Sequence, residues 1–110
     1  MEQSMSDAKL MPVVILDWRP MKRNSLLGFA KIQLGALKIS DVTVNTNSGR
    51  LWAGLPSKPM IDRDGAAMRN DQGKIKYVPI LEWDSKGTGD RFSESVVTAL
   101  EAAHPGATTE

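Results

Sequence analysis

The sequence predicts a single α+β domain: an antiparallel β-sheet of about four to five strands followed by a C-terminal helix. Short apolar stretches with period-2 alternation, set apart by turn residues, fill the chain from Val13 to Leu55. Near the other end, Phe92, Val96, Leu100 and Ala103 recur at helical spacing. A chain of 110 residues, 41% of them hydrophobic, suffices for one modest core and one domain.

The elements follow in order. Residues 1–10 are small and polar without periodicity and read as a disordered leader, with the domain spanning 11–104 and a flexible tail at 105–110. Residues 12–19 form the first strand. Val14, Leu16 and Trp18 fall on one face and Val13, Ile15 and Asp17 on the other, so part of this strand should be covered on both sides. Pro20 should end it. After the basic turn Met21–Ser25, Leu27–Leu34 is the second strand, with Ala30, Ile32 and Leu34 on the inner face. Gly35-Ala36 makes a hairpin to a third strand over Leu37–Asn45. That strand changes parity: Leu37 and Ile39 are odd, Val42 and Val44 even. A bulge or bend near Ser40-Asp41 restores a common face. Gly49 turns the chain into Arg50–Leu55, where Leu51, Ala53 and Leu55 share one face and Arg50, Trp52 and Gly54 the other, until Pro56 weakens the pairing.

Residues 57–74 read as one long loop, of the kind that carries function or moves. Ile75–Trp83 is extended, and Pro79 makes it an edge strand or a strand plus link. Gly87-Thr88-Gly89-Asp90 signals a helix start with Thr88 or Asp90 as cap, and a helix over Arg91–Ala103 should pack on the sheet, with Ser93, Glu94, Thr98 and Glu101 towards water.

Composition excludes several chemistries. Without cysteine there is no disulfide, thiol nucleophile or zinc-thiolate site. The lone histidine, His104, sits at the expected helix end beside a proline, the place of a helix-end residue rather than a general base. No nucleophile elbow or glycine-rich phosphate loop is present, and Asp17, Asp41 and Glu82 are scattered. Asp62-x-Asp64-Gly65 lacks the further oxygens and terminal glutamate of a calcium loop. The sequence therefore predicts no enzyme, cofactor or metal. The longest apolar run, Val13–Leu16, is far too short to span a bilayer.

Charge is unevenly distributed. Arg19–Lys76 holds eleven Lys/Arg and four Asp/Glu, a local charge of +7, while Glu82–Glu110 has a charge of −4. Arg50, Lys58, Arg63, Arg69, Lys74 and Lys76 gather around one strand end and one long loop, with Trp52 and Tyr77 among them. Cations that neutralise phosphates, beside rings that stack on bases, suit a nucleic-acid surface. The competing reading keeps Trp52 in a core or dimer contact and the cations solvated.

The run Gly49-Arg50-Leu51-Trp52-Ala53-Gly54-Leu55-Pro56-Ser57-Lys58 resembles the stage V sporulation protein G (septation protein SpoVG) family. Leu37–Val44 is similar to the strand that precedes this turn in the family, and Val78-Pro79-Ile80 to the segment leading to its C-terminal helix. The resemblance covers roughly residues 11 to 104 and is most specific at Pro56-Ser57-Lys58. It implies a cytoplasmic bacterial regulator that binds DNA or RNA and forms a homodimer through strands of two chains. It selects the nucleic-acid reading, with Arg50, Trp52, Lys58, Arg63, Arg69, Lys74 and Lys76 as contact residues. Two departures stand out. The family's helical part contributes basic contacts, whereas this one holds only Lys86 and Arg91 among Asp90, Glu94 and Glu101, and the loop between Lys58 and Tyr77 is longer. Either binding has moved to the Arg50–Lys76 region, or this chain binds nucleic acid weakly or not at all. The rival reading is a non-catalytic protein–protein interaction or dimer module without a nucleic-acid partner.

Overall fold

The computed structural model describes residues 10–108. The leader expected over residues 1–10 lies, but for Leu10, outside the described residues. Four strands form one antiparallel sheet in the order β1 (Val13–Arg23), β2 (Leu26–Leu34), β3 (Leu37–Asn47) and β4 (Arg50–Gly54). A separate ribbon pairs β5 (Ser57–Pro59) with β6 (Tyr77–Pro79), and the helix α1 spans Lys86–Ala103. This is an α+β arrangement, with the expected fifth strand set apart from the main sheet.

Bulges set which side chains point inward. Ile32 pairs with Ile39 while Ala30 pairs with Val42, so Ser40 and Asp41 together oppose Lys31. Asp41 takes a left-handed φ of 59° there, a conformation that aspartate tolerates. This is the bulge that the parity switch predicts, and it brings Ile39, Val42 and Val44 into one buried face, while Leu37, expected on the same face, stays exposed at the hairpin end. A second bulge lies in β1, where Ile15 pairs with Ile32 but Asp17 with Lys31, leaving Leu16 as the extra residue. It corrects the sequence reading: Trp18 joins the face of Val13 and Ile15 and packs on the core, while Val14 and Leu16 stay exposed. Pro20 does not end β1 either. It pairs with Gly28 within the strand, because β1 is an edge and the missing N–H faces no neighbour.

The helix covers the inner face. Phe92, Val96 and Leu100 are fully buried against Leu27, Ala30, Ile32, Val42, Val44 and Ala53. Trp83 rests on Phe92 with ring centroids 5.2 Å apart. Two serines fix the helix laterally. Ser93 Oγ accepts from the Ala53 N–H at 2.8 Å, occupying a donor on the β4 edge, so Ser93 does not face water as its helical position suggests. The buried Ser95 Oγ accepts from the Met11 N–H at 2.7 Å and donates to the Arg91 carbonyl at 2.6 Å. The helix begins at Lys86, earlier than the sequence predicts. Its cap is Ser85, whose Oγ accepts from the Thr88 N–H, rather than Thr88 or Asp90. Gly87 and Gly89 are thus inside the first turns, with Gly89 lying close under Trp83. His104 is the C-cap residue. Beyond it, 105–108 form a turn in which the Gly106 N–H and the Thr108 hydroxyl donate to the Glu101 carboxylate.

Candidate functional site

The segment read as a loop is an ordered arm. It leaves the sheet at Pro56 and returns at Ile80, whose N–H donates to the Pro56 carbonyl at 3.2 Å. At its base Lys58 pairs with Val78 and Pro59 with Tyr77. Further out, three residues close a cycle of backbone bonds. Met60 donates to Lys76, Lys76 to Met68 and Met68 to Met60, each at 2.8–2.9 Å.

Two turns of one construction extend from this cycle. Asp62 Oδ1 accepts from the N–H groups of Asp64 and Ala66, and Asn70 Oδ1 accepts from those of Gln72 and Lys74. In each turn the glycine, Gly65 or Gly73, has φ of 85° or 80° and donates back to the Asx carbonyl. The Asp62 and Asn70 N–H groups bond the carbonyls of Ala66 and Lys74 in turn. The long loop predicted over 57–74 is therefore an ordered repeat of two Asx turns, each closed by its own backbone and side-chain bonds. Its sequence signal is the recurrence of an Asx three residues ahead of a glycine, at Asp62/Gly65 and Asn70/Gly73. Asp62 spends Oδ1 on backbone amides, and among the described residues no cluster of three or more metal-ligating side chains forms.

This scaffold places the candidate cations in two groups. Lys58, Arg63, Arg69, Lys74 and Lys76 belong to the arm and are all exposed, and Arg69 Nη1 donates to the Gly73 carbonyl at 2.7 Å. Among the described residues, the side chains of Lys58, Arg63, Lys74 and Lys76 make no hydrogen bond or ion pair. Arg50 and Trp52 form the second group, on β4, where the Arg50 guanidinium lies 5.7 Å from the Trp52 ring centroid. Trp52 is half-buried and stands outside the core cluster. It is paired with Asn45, and with Arg50 it lines a recess shared with Asp90, Ser93, Glu94 and Val97 of α1. No hydrogen bond or ion pair among the described residues joins the two groups.

Register adds residues that the sequence did not single out. Arg19 pairs with Phe29 and Phe29 with Thr43, so all three stand on the open face of the sheet. The Arg19 guanidinium lies 5.5 Å from the Phe29 ring centroid, and its Nη2 is 2.9 Å from Asp41 Oδ1. Nothing in the separate stretches around Arg19 and Phe29 marks them as partners; only the strand pairing does.

The cations of α1 are committed elsewhere. Lys86 Nζ is 2.8 Å from Asp90, and Arg91 Nη2 donates to Thr88 Oγ1 at 3.4 Å. Glu94 and Glu101 are exposed on the same helix. No helix among the described residues is long and apolar enough to cross a membrane. Comparison with known proteins finds no matching family model, no matching curated protein and no matching solved structure.

Proposed function

We propose that the protein is a nucleic-acid-binding regulator that resembles the SpoVG family and grips DNA or RNA phosphates through the arm at residues 57–79. It acts by binding, without a catalytic step or cofactor, in the cytoplasm. One observation carries this reading: Lys58, Arg63, Lys74 and Lys76 extend from a scaffold held by backbone bonds, while both cations of α1 have partners. A cation without an intramolecular partner gives up no existing ion pair when it meets a phosphate. Arg50 over Trp52 adds a stacked pair of the kind that supports bases. Acidic residues on α1 argue that this helix does not make the contact, which differs from the family's mode.

The test is a titration of the full chain with mixed single- and double-stranded oligonucleotides at two salt concentrations. Affinity should fall with a log–log slope of about −0.7 to −0.9 per phosphate neutralised. A second reading, an interaction module that forms dimers and binds no nucleic acid, is favoured by Val14 and Leu16. These stand 57% and 42% exposed on the free edge strand β1. Absence of binding to any oligonucleotide at low salt selects that second reading.

A further inference from the structure

Where the arm meets the open face of the sheet there is a recess of about 610 Å³. That volume lies within the range of small-ligand sites. Arg19, Phe29, Asp41 and Thr43 line its sheet side, and Tyr77 and Ile80 its arm side. Tyr77 and Ile80 are large side chains left 58% and 59% exposed, next to a half-buried Phe29. Asp41 is the carboxylate in this lining, and it is paired with Arg19 at 2.9 Å, so the recess does not present an unbalanced negative charge to a phosphate. Lys58 pairs with Val78 and Lys76 precedes Tyr77, so by strand alternation both stand on the face of the ribbon opposite Tyr77, outside the lining of the recess.

We infer that this recess takes one unstacked base of a single-stranded nucleic acid, held against Phe29 and Tyr77, while the rest of the strand runs on to the cations of the arm. The inference rests on the nucleic-acid reading above and deepens it, because it makes the preferred ligand single-stranded. A duplex keeps its bases stacked inside and offers the recess none; a single strand exposes π-faces to aromatic side chains. The guanidinium beside the Phe29 ring leaves its other parts to the recess and adds a cation near a bound base.

The experiment compares three forms of the full chain by fluorescence anisotropy: wild type, Tyr77→Ala, and Arg63→Gln/Lys74→Gln. Each is titrated with a labelled single-stranded oligonucleotide and with the corresponding duplex. Tyr77 is largely exposed, so its replacement should leave the fold intact, and unchanged thermal unfolding checks this; Phe29→Leu is the second recess variant, retaining an apolar side chain at that position. The expected result is that wild type prefers the single strand. Tyr77→Ala should weaken single-strand binding by about 5- to 150-fold, the worth of one stacked base, and leave duplex binding and the salt slope unchanged. Phe29→Leu should weaken single-strand binding in the same sense. Single-strand affinity unchanged in both recess variants overturns the inference. If the Arg63→Gln/Lys74→Gln form still loses affinity in that case, the arm reading stands without the recess. Equal loss of single-strand and duplex binding in Tyr77→Ala also overturns it, as does failure of the wild type to bind either ligand at low salt, which removes the arm reading as well.

Discussion

Gly28 illustrates how one residue ties two strands together. A Cβ placed there would stand 2.5 Å from the Arg19 carbonyl oxygen and 2.6 Å from Trp18 Cη2. The indole of Trp18 occupies the space that a side chain on β2 would need. Gly28→Ala should therefore cost about 1–3 kcal/mol, the usual penalty of overpacking, read as a shift in the urea midpoint; an unchanged midpoint would show that β1 moves aside freely. In the arm, Asp62 and Asn70 each accept two backbone amides. Asp62→Ala should loosen its turn, with faster amide exchange at Asp64 and Ala66 and undiminished protection in β2 and β3. Equal exchange in the variant and wild type would mean that the turn does not depend on the carboxylate. These residues show what was legible. The bulge at Ser40-Asp41 could be read because the apolar parity changes across it. The bulge at Leu16 could not, because Val13–Leu16 is apolar at every position and a skipped residue leaves no mark. The Asx-glycine recurrence was in plain view, yet turn residues look alike whether they close an ordered arm or a loose loop.

The helix is the element on which the core closes. Phe92 is 1% exposed and meets both the sheet and Trp83. Phe92→Ala should destabilise the fold by roughly 3–5 kcal/mol, measured by chemical denaturation, and a loss under about 1 kcal/mol would contradict the packing described. The apolar stripe made this burial legible, but the helix start was not. Gly87 and Gly89 lower helix propensity, whereas Ser85 supplies the cap and the Trp83–Gly89 approach supplies packing, and neither is visible in a local reading. At the other end, hydrogen bonds from the Gly106 N–H and the Thr108 hydroxyl lower the Glu101 pKa from its ordinary 4.5. A carboxylate with a lowered folded pKa stabilises the turn fully above its unfolded value and loses that contribution as pH falls through the folded value. The Gly106 amide shift should titrate with a midpoint below 4.5 and stop doing so in Glu101→Gln; a midpoint at or above the ordinary value would mean that the clasp does not form.

At the scale of the molecule, two features lie on opposite sides of the sheet's edges: an apolar free edge at β1 and a basic arm following β4. The edge motivates a homodimer formed by strands of two chains, which should bury at least roughly 1,000 Å² in total. Sedimentation at tens of micromolar should give twice the chain mass, and a monomer would leave Val14 and Leu16 without that role. The α+β layout was legible from period and turn chemistry alone, whereas the grouping of Arg19 with Phe29 and the engagement of Lys86 and Arg91 by neighbours depend on tertiary placement. The charge split pointed to residues 19–76 as a whole; the backbone cycle at Met60, Met68 and Lys76 shows that part of that stretch is an ordered arm. The central claim is that this arm, not α1, meets phosphate. Its most direct test is the salt dependence of oligonucleotide affinity in Arg63→Gln/Lys74→Gln, compared with Lys86→Gln/Arg91→Gln. The arm variant should bind all sequences more weakly, with the log–log slope flattened by about one per lost contact, while the helix variant binds as wild type; an arm variant that binds as wild type, beside a helix variant that no longer binds, would contradict the account.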